Sequence, residues 1–131
     1  NIFLNTILTR SNKIAPEMLD KSLAGASNDI FSFAMLCYFM ISGKHPFEQE
    51  FASNTKINPI VVIGRLLLEE NKRPELVAAF STCPAVQQLD KESQEELKNM
   101  IEKCWQLEPQ ARMTVAEIIQ VLQKILEKMQ K

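Results

Sequence analysis

The sequence predicts an all-α domain, and three stretches carry that reading. From Ser27 to Phe47 the residues Ile30, Phe31, Phe33, Ala34, Met35, Leu36, Cys37, Tyr38, Phe39, Met40 and Ile41 leave almost no polar face. A helix apolar all round belongs in the middle of a fold. After Asp90, Leu97, Met100, Ile101, Cys104 and Trp105 recur on one helical face. Thr114 and Glu117 then have capping-box spacing ahead of Val115, Ile118, Ile119, Leu122, Ile125, Leu126 and Met129, which keep helical spacing to the C-terminus.

Taken in order, residues 1–13 form an irregular N-terminal segment and residues 14–131 a helical domain. Ile2, Phe3, Leu4, Ile7 and Leu8 are apolar but follow neither a helical nor a strand period. Pro16 breaks any helix across it and suits the first residue of a new turn. Ser27 or Asn28 is a good N-cap for the central helix, Asp29 suits its positive end, and Gly43 with Pro46 supplies its stop. Ser32 and Ser42 interrupt the apolar run, which falls short of the roughly 18 to 20 residues a membrane span needs, so it reads as protein core. Residues 47–57 are polar and read as a loop. Asn58 and Pro59 offer a cap and a first-turn proline for a helix to about Glu70, which Asn71, Lys72, Arg73 and Pro74 end. Residues 75–89 read as a loop with a short helix near Val77 to Phe80. The next helix starts near Asp90, with Ser93 and Glu96 as an alternative capping box.

At 131 residues, with 46% hydrophobic and 24% charged side chains, the chain is one globular domain's worth. A formal net charge of -1 gives no electrostatic reason to expect nucleic acid or an anionic membrane. Cys37, Cys83 and Cys104 lack a paired pattern and read as reduced core residues of a cytoplasmic protein. With His45 the one histidine and no Cys-x-x-Cys, a zinc site is not expected. No secretory leader is legible. The first residue is Asn1, not methionine, so a processed, trimmed or partial chain is expected.

Several landmarks in order resemble one family. Asn28-Asp29-Ile30-Phe31-Ser32-Phe33, followed by Gly43-Lys44-His45-Pro46-Phe47, resembles the central helix of the protein kinase C-terminal lobe, usually written Asp-Val-Tyr-Ser-Phe-Gly with a later Gly-x-x-Pro-Phe. Ala15-Pro16-Glu17 is similar to the motif that closes the kinase activation segment, and Asp29 follows Glu17 at about the family's interval. A helix ending in Arg73-Pro74 is common in tyrosine-kinase-like members. Cys104-Trp105, with Pro109 and Arg112 after it, resembles the kinase pattern Cys-Trp, two residues, Asp-Pro, two residues, Arg.

The resemblance implies a protein kinase C-lobe-like helical subdomain around one buried central helix. It implies a pair between Glu17 and Arg112, because a guanidinium meets a carboxylate with two parallel hydrogen bonds and would pin the activation segment to the helical base. In the family the aspartate at Asp29 holds the catalytic loop; here the plainer role of a helix-start acid is expected. Phosphoryl transfer uses a glycine-rich loop, a strand lysine, a His-Arg-Asp catalytic loop and an Asp-Phe-Gly metal ligand. None of these stands in this sequence, so the N-terminal lobe and catalytic loop are absent and no catalytic, cofactor or metal residues are assigned. ATP and magnesium are expected only in a full-length parent. Arg10 and Lys13 replace a threonine and an aromatic usual before Ala15, so a divergent kinase or a pseudokinase fits.

The expected function is therefore the C-lobe portion of a protein kinase, not catalytic alone. The alternative is a stand-alone, kinase-derived interaction module. Either way apolar surface needs covering by missing kinase segments, a protein partner or self-association, and Ile60, Val61, Ile63 and Leu67 are the expected docking face.

Overall fold

The computed structural model describes residues 26–53, 56 and 58–130. The expectations placed on residues 1–25, including the irregular segment, the Pro16 turn and Ala15-Pro16-Glu17, lie outside the described residues. Within them the architecture is all helical: α1 (Ala26–Ser42), α2 (Glu48–Ser53), α3 (Pro59–Gly64) continued by a π-helical turn (Arg65–Glu69), α4 (Leu76–Thr82), α5 (Pro84–Gln87), α6 (Lys91–Cys104), a 3₁₀ turn (Pro109–Ala111) and α7 (Val115–Met129).

Helix α1 is the hub, packing against α4, α6 and the 3₁₀ turn. Phe31, Ala34 and Met35 are fully buried, and Ile63, Leu67, Met100, Ile101, Cys104 and Ile118 join them in one core. Ser27 and Asn28 lie inside α1 (Ala26–Ser42) rather than before it. Gly43 ends it at φ 73°, a left-handed conformation that glycine adopts without strain. The expectation of burial all round needs correction. Leu36 and Met40, one turn apart, are 43% and 65% exposed, which leaves one edge of α1 uncovered by the described residues.

Local caps decide the other helix starts. Asn58 Oδ1 accepts from the Ile60 amide at 2.9 Å with Pro59 in the first turn. Asp90, not Ser93, caps α6 by accepting from the Ser93 amide. At α7 both halves of the Thr114–Glu117 box form. The helix from Pro59 widens at its end, where the Glu70 amide reaches the Arg65 carbonyl at 3.0 Å, a π-type bond. Asn71 at φ 47° then closes it in the left-handed region that asparagine tolerates. The expected loop over 47–57 holds α2, which buries Phe51; the short helix expected near Val77 to Phe80 is α4, which buries Leu76, Ala79 and Phe80, and α5 follows it and buries Val86.

All three cysteines are free thiols, Cys37 and Cys104 buried and Cys83 partly so. Burial pushes Cys37 up to about 11. Burial, reinforced by the charges of Cys37 and Glu117, pushes Cys104 up to about 12. The folded state keeps these protons after the unfolded chain has lost them at about pH 8.5 to 9. Their contribution to stability is thus whole below about pH 8.5 and disappears as pH rises through about 11 to 12. The urea midpoint is expected to fall between about pH 8.5 and 10.5, and to fall less in Cys37→Ala/Cys104→Ala. Equal pH slopes in the two proteins would contradict this assignment.

Candidate functional site

The strongest concentration of buried polar chemistry lies where the end of α6 meets the start of α1. The last carbonyls of a helix have no intrahelical partner and carry its negative dipole end. Just past the last residue of α6, two arginines bind the successive carbonyls of Trp105, Gln106 and Leu107. Arg112, 6% exposed, donates from Nε to the Gln106 carbonyl at 2.8 Å and from a terminal nitrogen to the Leu107 carbonyl at 3.3 Å. Its other terminal nitrogen reaches the Ser27 carbonyl in the first turn of α1 at 2.9 Å. Arg73 donates from Nε to the Trp105 carbonyl at 2.7 Å and from a terminal nitrogen to the Lys72 carbonyl at 2.8 Å.

Both guanidiniums approach the ring of Phe31, Arg112 at 4.9 Å and Arg73 at 5.4 Å from its centroid, where the ring's negative face attracts cations. Burial, and then the charge of Arg112, pulls Arg73 down to about 10. The cluster ties four chain regions into one joint: α1, the turn after α3, the end of α6 and the segment before α7. It holds geometry rather than a reacting group.

Two clefts border this joint. One of about 380 Å³ is lined by Arg73, Pro74, Leu76, Lys98, Glu102 and Trp105. The other, about 400 Å³, runs between His45, Phe47 and Glu50 on one side and Lys72, Arg73 and Thr82 on the other. Glu50 and Lys72 pair across it at 2.8 Å. Burial alone would raise the Glu50 carboxyl, but its hydrogen bond to Lys72, together with a backbone bond and the lysine's charge, holds it below the ordinary range. His45 stacks on Phe39 with centroids 4.8 Å apart. Among the described residues, no three His, Cys, Asp or Glu side chains are grouped so as to hold a metal ion.

Arg112 is thus buried and firmly placed, while its expected partner Glu17, with Ala15 and Pro16, lies outside the described residues. Asp29 is an exposed acid in the first turn of α1, away from the interior. The expected docking face divides. Ile60 and Val61 are 51% and 60% exposed, but Ile63 and Leu67 are fully buried. The latter two therefore belong to the core, because helical spacing turns them inward with Val62 and Leu66. Arg73 was not singled out by the sequence beyond its Arg-Pro context. Lys124 and Lys128 bind Glu96 at 2.8 Å and Glu92 at 2.7 Å. Among the described residues no helix is long and apolar enough to cross a membrane.

Comparison with known proteins agrees with this frame. The protein kinase domain family matches residues 3–122. Serine/threonine-protein kinase 12 of Arabidopsis thaliana is 30% identical over 116 residues, covering 88% of this chain and 21% of that protein. Serine/threonine-protein kinase STY17 of the same plant is 25% identical over 114 residues, covering 86% and 16%. The anti-Muellerian hormone type-2 receptor of Rattus norvegicus is 29% identical over 124 residues, covering 82% and 21%. The chain spans about a fifth of the length of these relatives. With a family match across most of its length and an all-helical core built on the matched residues, the chain belongs to the protein kinase family.

Proposed function

We propose that this chain is the lower, helical portion of a kinase C-terminal lobe, and that it does not transfer phosphate on its own. The observation that carries the proposal is the joint around Arg112. A buried arginine that binds the first turn of the central helix and the end of α6 is a device for fixing the base of a larger unit. On this reading Arg112 also pairs with Glu17 and so pins the end of the activation segment. The parent activity is ATP-dependent phosphorylation of protein hydroxyls in the cytoplasm, with ATP and magnesium bound by parts that this sequence does not contain. The glycine-rich, His-Arg-Asp and Asp-Phe-Gly motifs are missing from the sequence.

The bare edge at Leu36 and Met40 supports the same reading, since a missing kinase segment or a protein partner would bury it. It serves equally the second reading of a stand-alone interaction module. Thermal unfolding of this chain with and without about 1 mM ATP and magnesium tests the central point, because a ligand that binds the folded state raises its midpoint. An unchanged midpoint is expected; a rise of several degrees would contradict a non-catalytic, nucleotide-free chain.

A further inference from the structure

The cleft between the end of α1 and the turn before α4 gathers donors that the fold does not use. Buried and half-buried polar groups normally find partners, and several of those lining this cavity of about 400 Å³ do. Ser42 and Thr82 donate to carbonyls of their own helices, and Lys72 is held by Glu50. Three side chains differ. Tyr38 is half-buried, and its hydroxyl has no hydrogen bond among the described residues. His45 Nδ1 is buried without a hydrogen-bond partner; a proton there would be an orphan donor, which folds avoid most strictly, so the ring proton belongs on Nε2. Arg73 spends Nε on the Trp105 carbonyl and Nη1 on the Lys72 carbonyl. Among the described residues its Nη2 has no partner, and no carboxylate forms an ion pair with its guanidinium.

The three groups share one chemistry. A hydroxyl, an imidazole N–H and the free edge of a guanidinium all donate, so an oxyanion completes them, and the planar fork matches a carboxylate with two parallel bonds. Burial and the charge of Arg112 both act against the Arg73 cation, and no neighbouring acid offsets them. The rim selects the charge of the ligand. Glu48 and Glu75 line the same cleft beside Lys44, and they repel a doubly charged phosphate more than a singly charged carboxylate. Phe47, Pro74 and Ala79 add an apolar wall for the body that carries the group. We propose that this cleft binds a carboxylate, with Arg73 meeting its charge and the Tyr38 hydroxyl and His45 Nε2 donating to its oxygens.

Sodium benzoate is the probe, titrated to about 50 mM at constant ionic strength and followed by saturation-transfer NMR, with benzamide as the uncharged control. It is added to this chain and to the full natural polypeptide that carries it. A saturable Kd of about 0.1 to 10 mM is expected for benzoate, and no binding for benzamide. Tyr38→Phe removes a hydroxyl and keeps the ring, and should weaken binding about tenfold with the thermal midpoint unchanged. Arg73→Lys keeps the charge but not the fork and should weaken it at least as much. Binding to both proteins assigns the carboxylate to a separate molecule, whereas binding to this chain alone keeps the site and assigns its carboxylate to another part of the same polypeptide. No saturable binding to either protein would overturn the proposal, as would equal binding of benzamide or binding that both variants leave intact. Tighter binding of inorganic phosphate, lost in the same variants, would overturn the choice of a carboxylate.

Discussion

Arg112→Ala is expected to lower the unfolding free energy by about 3 to 5 kcal/mol. Truncation leaves the Ser27, Gln106 and Leu107 carbonyls without this donor. A buried acceptor left unsatisfied costs about 1 to 3 kcal/mol, and the cation over Phe31 is lost as well. Against a whole-domain stability of about 5 to 15 kcal/mol, that is a large share. Arg112→Lys keeps the charge but not the planar fork, so it should recover only part of the loss. Chemical denaturation measures both, and an unchanged midpoint for Arg112→Ala would reject the role of the joint. The proposed pair with Glu17 adds a cycle: Glu17→Gln should cost markedly less in the Arg112→Ala background than alone.

Phe31→Ala should destabilise by a similar amount, about 3 to 5 kcal/mol, for a different reason. The ring is fully buried, so its removal opens a cavity in the middle of the core and also takes away the surface that two guanidiniums face. Phe31→Leu separates the causes. It keeps most of the apolar volume but no aromatic face, and a loss of about 1 to 2 kcal/mol is expected from the cation contacts and imperfect packing. Because Phe31 and Arg112 touch, their alanine substitutions should be less than additive by about 1 kcal/mol or more. Strict additivity would show that ring and guanidinium are merely neighbours.

Local signals were legible and distant partners were not. The caps at Asn58, Asp90 and Thr114 act within three residues, so residue types alone announce them. The inward face of α6 was equally plain, since its apolar period has one phase. Helix α2 escaped because it buries only Phe51 and so has no period to show. Helix α4 was legible near Val77 to Phe80, while α5 escaped because Cys83 and Pro84 cut it off as a separate piece of 4 residues.

The role of Arg73 depends on a carbonyl 32 residues away, and those of Lys124 and Lys128 on carboxylates 28 and 36 residues away. No local pattern encodes such distances. Helix α7 was legible as a helix, but its apolar residues all fit one helical period and could not be divided into a core face and an outer face. The same limit blurred Ile60 and Val61 with Ile63 and Leu67. Arg73, Trp105 and Arg112, which no period links, meet in one three-dimensional joint rather than in one element.

The most direct measurement is the intact mass and N-terminal sequence of the protein as the cell produces it. A polypeptide much heavier than 15.0 kDa, with the glycine-rich loop, strand lysine and His-Arg-Asp loop upstream of Asn1, is the predicted result. A mature species of 15.0 kDa beginning at Asn1 would contradict the reading of the chain as part of a kinase lobe and leave a stand-alone module.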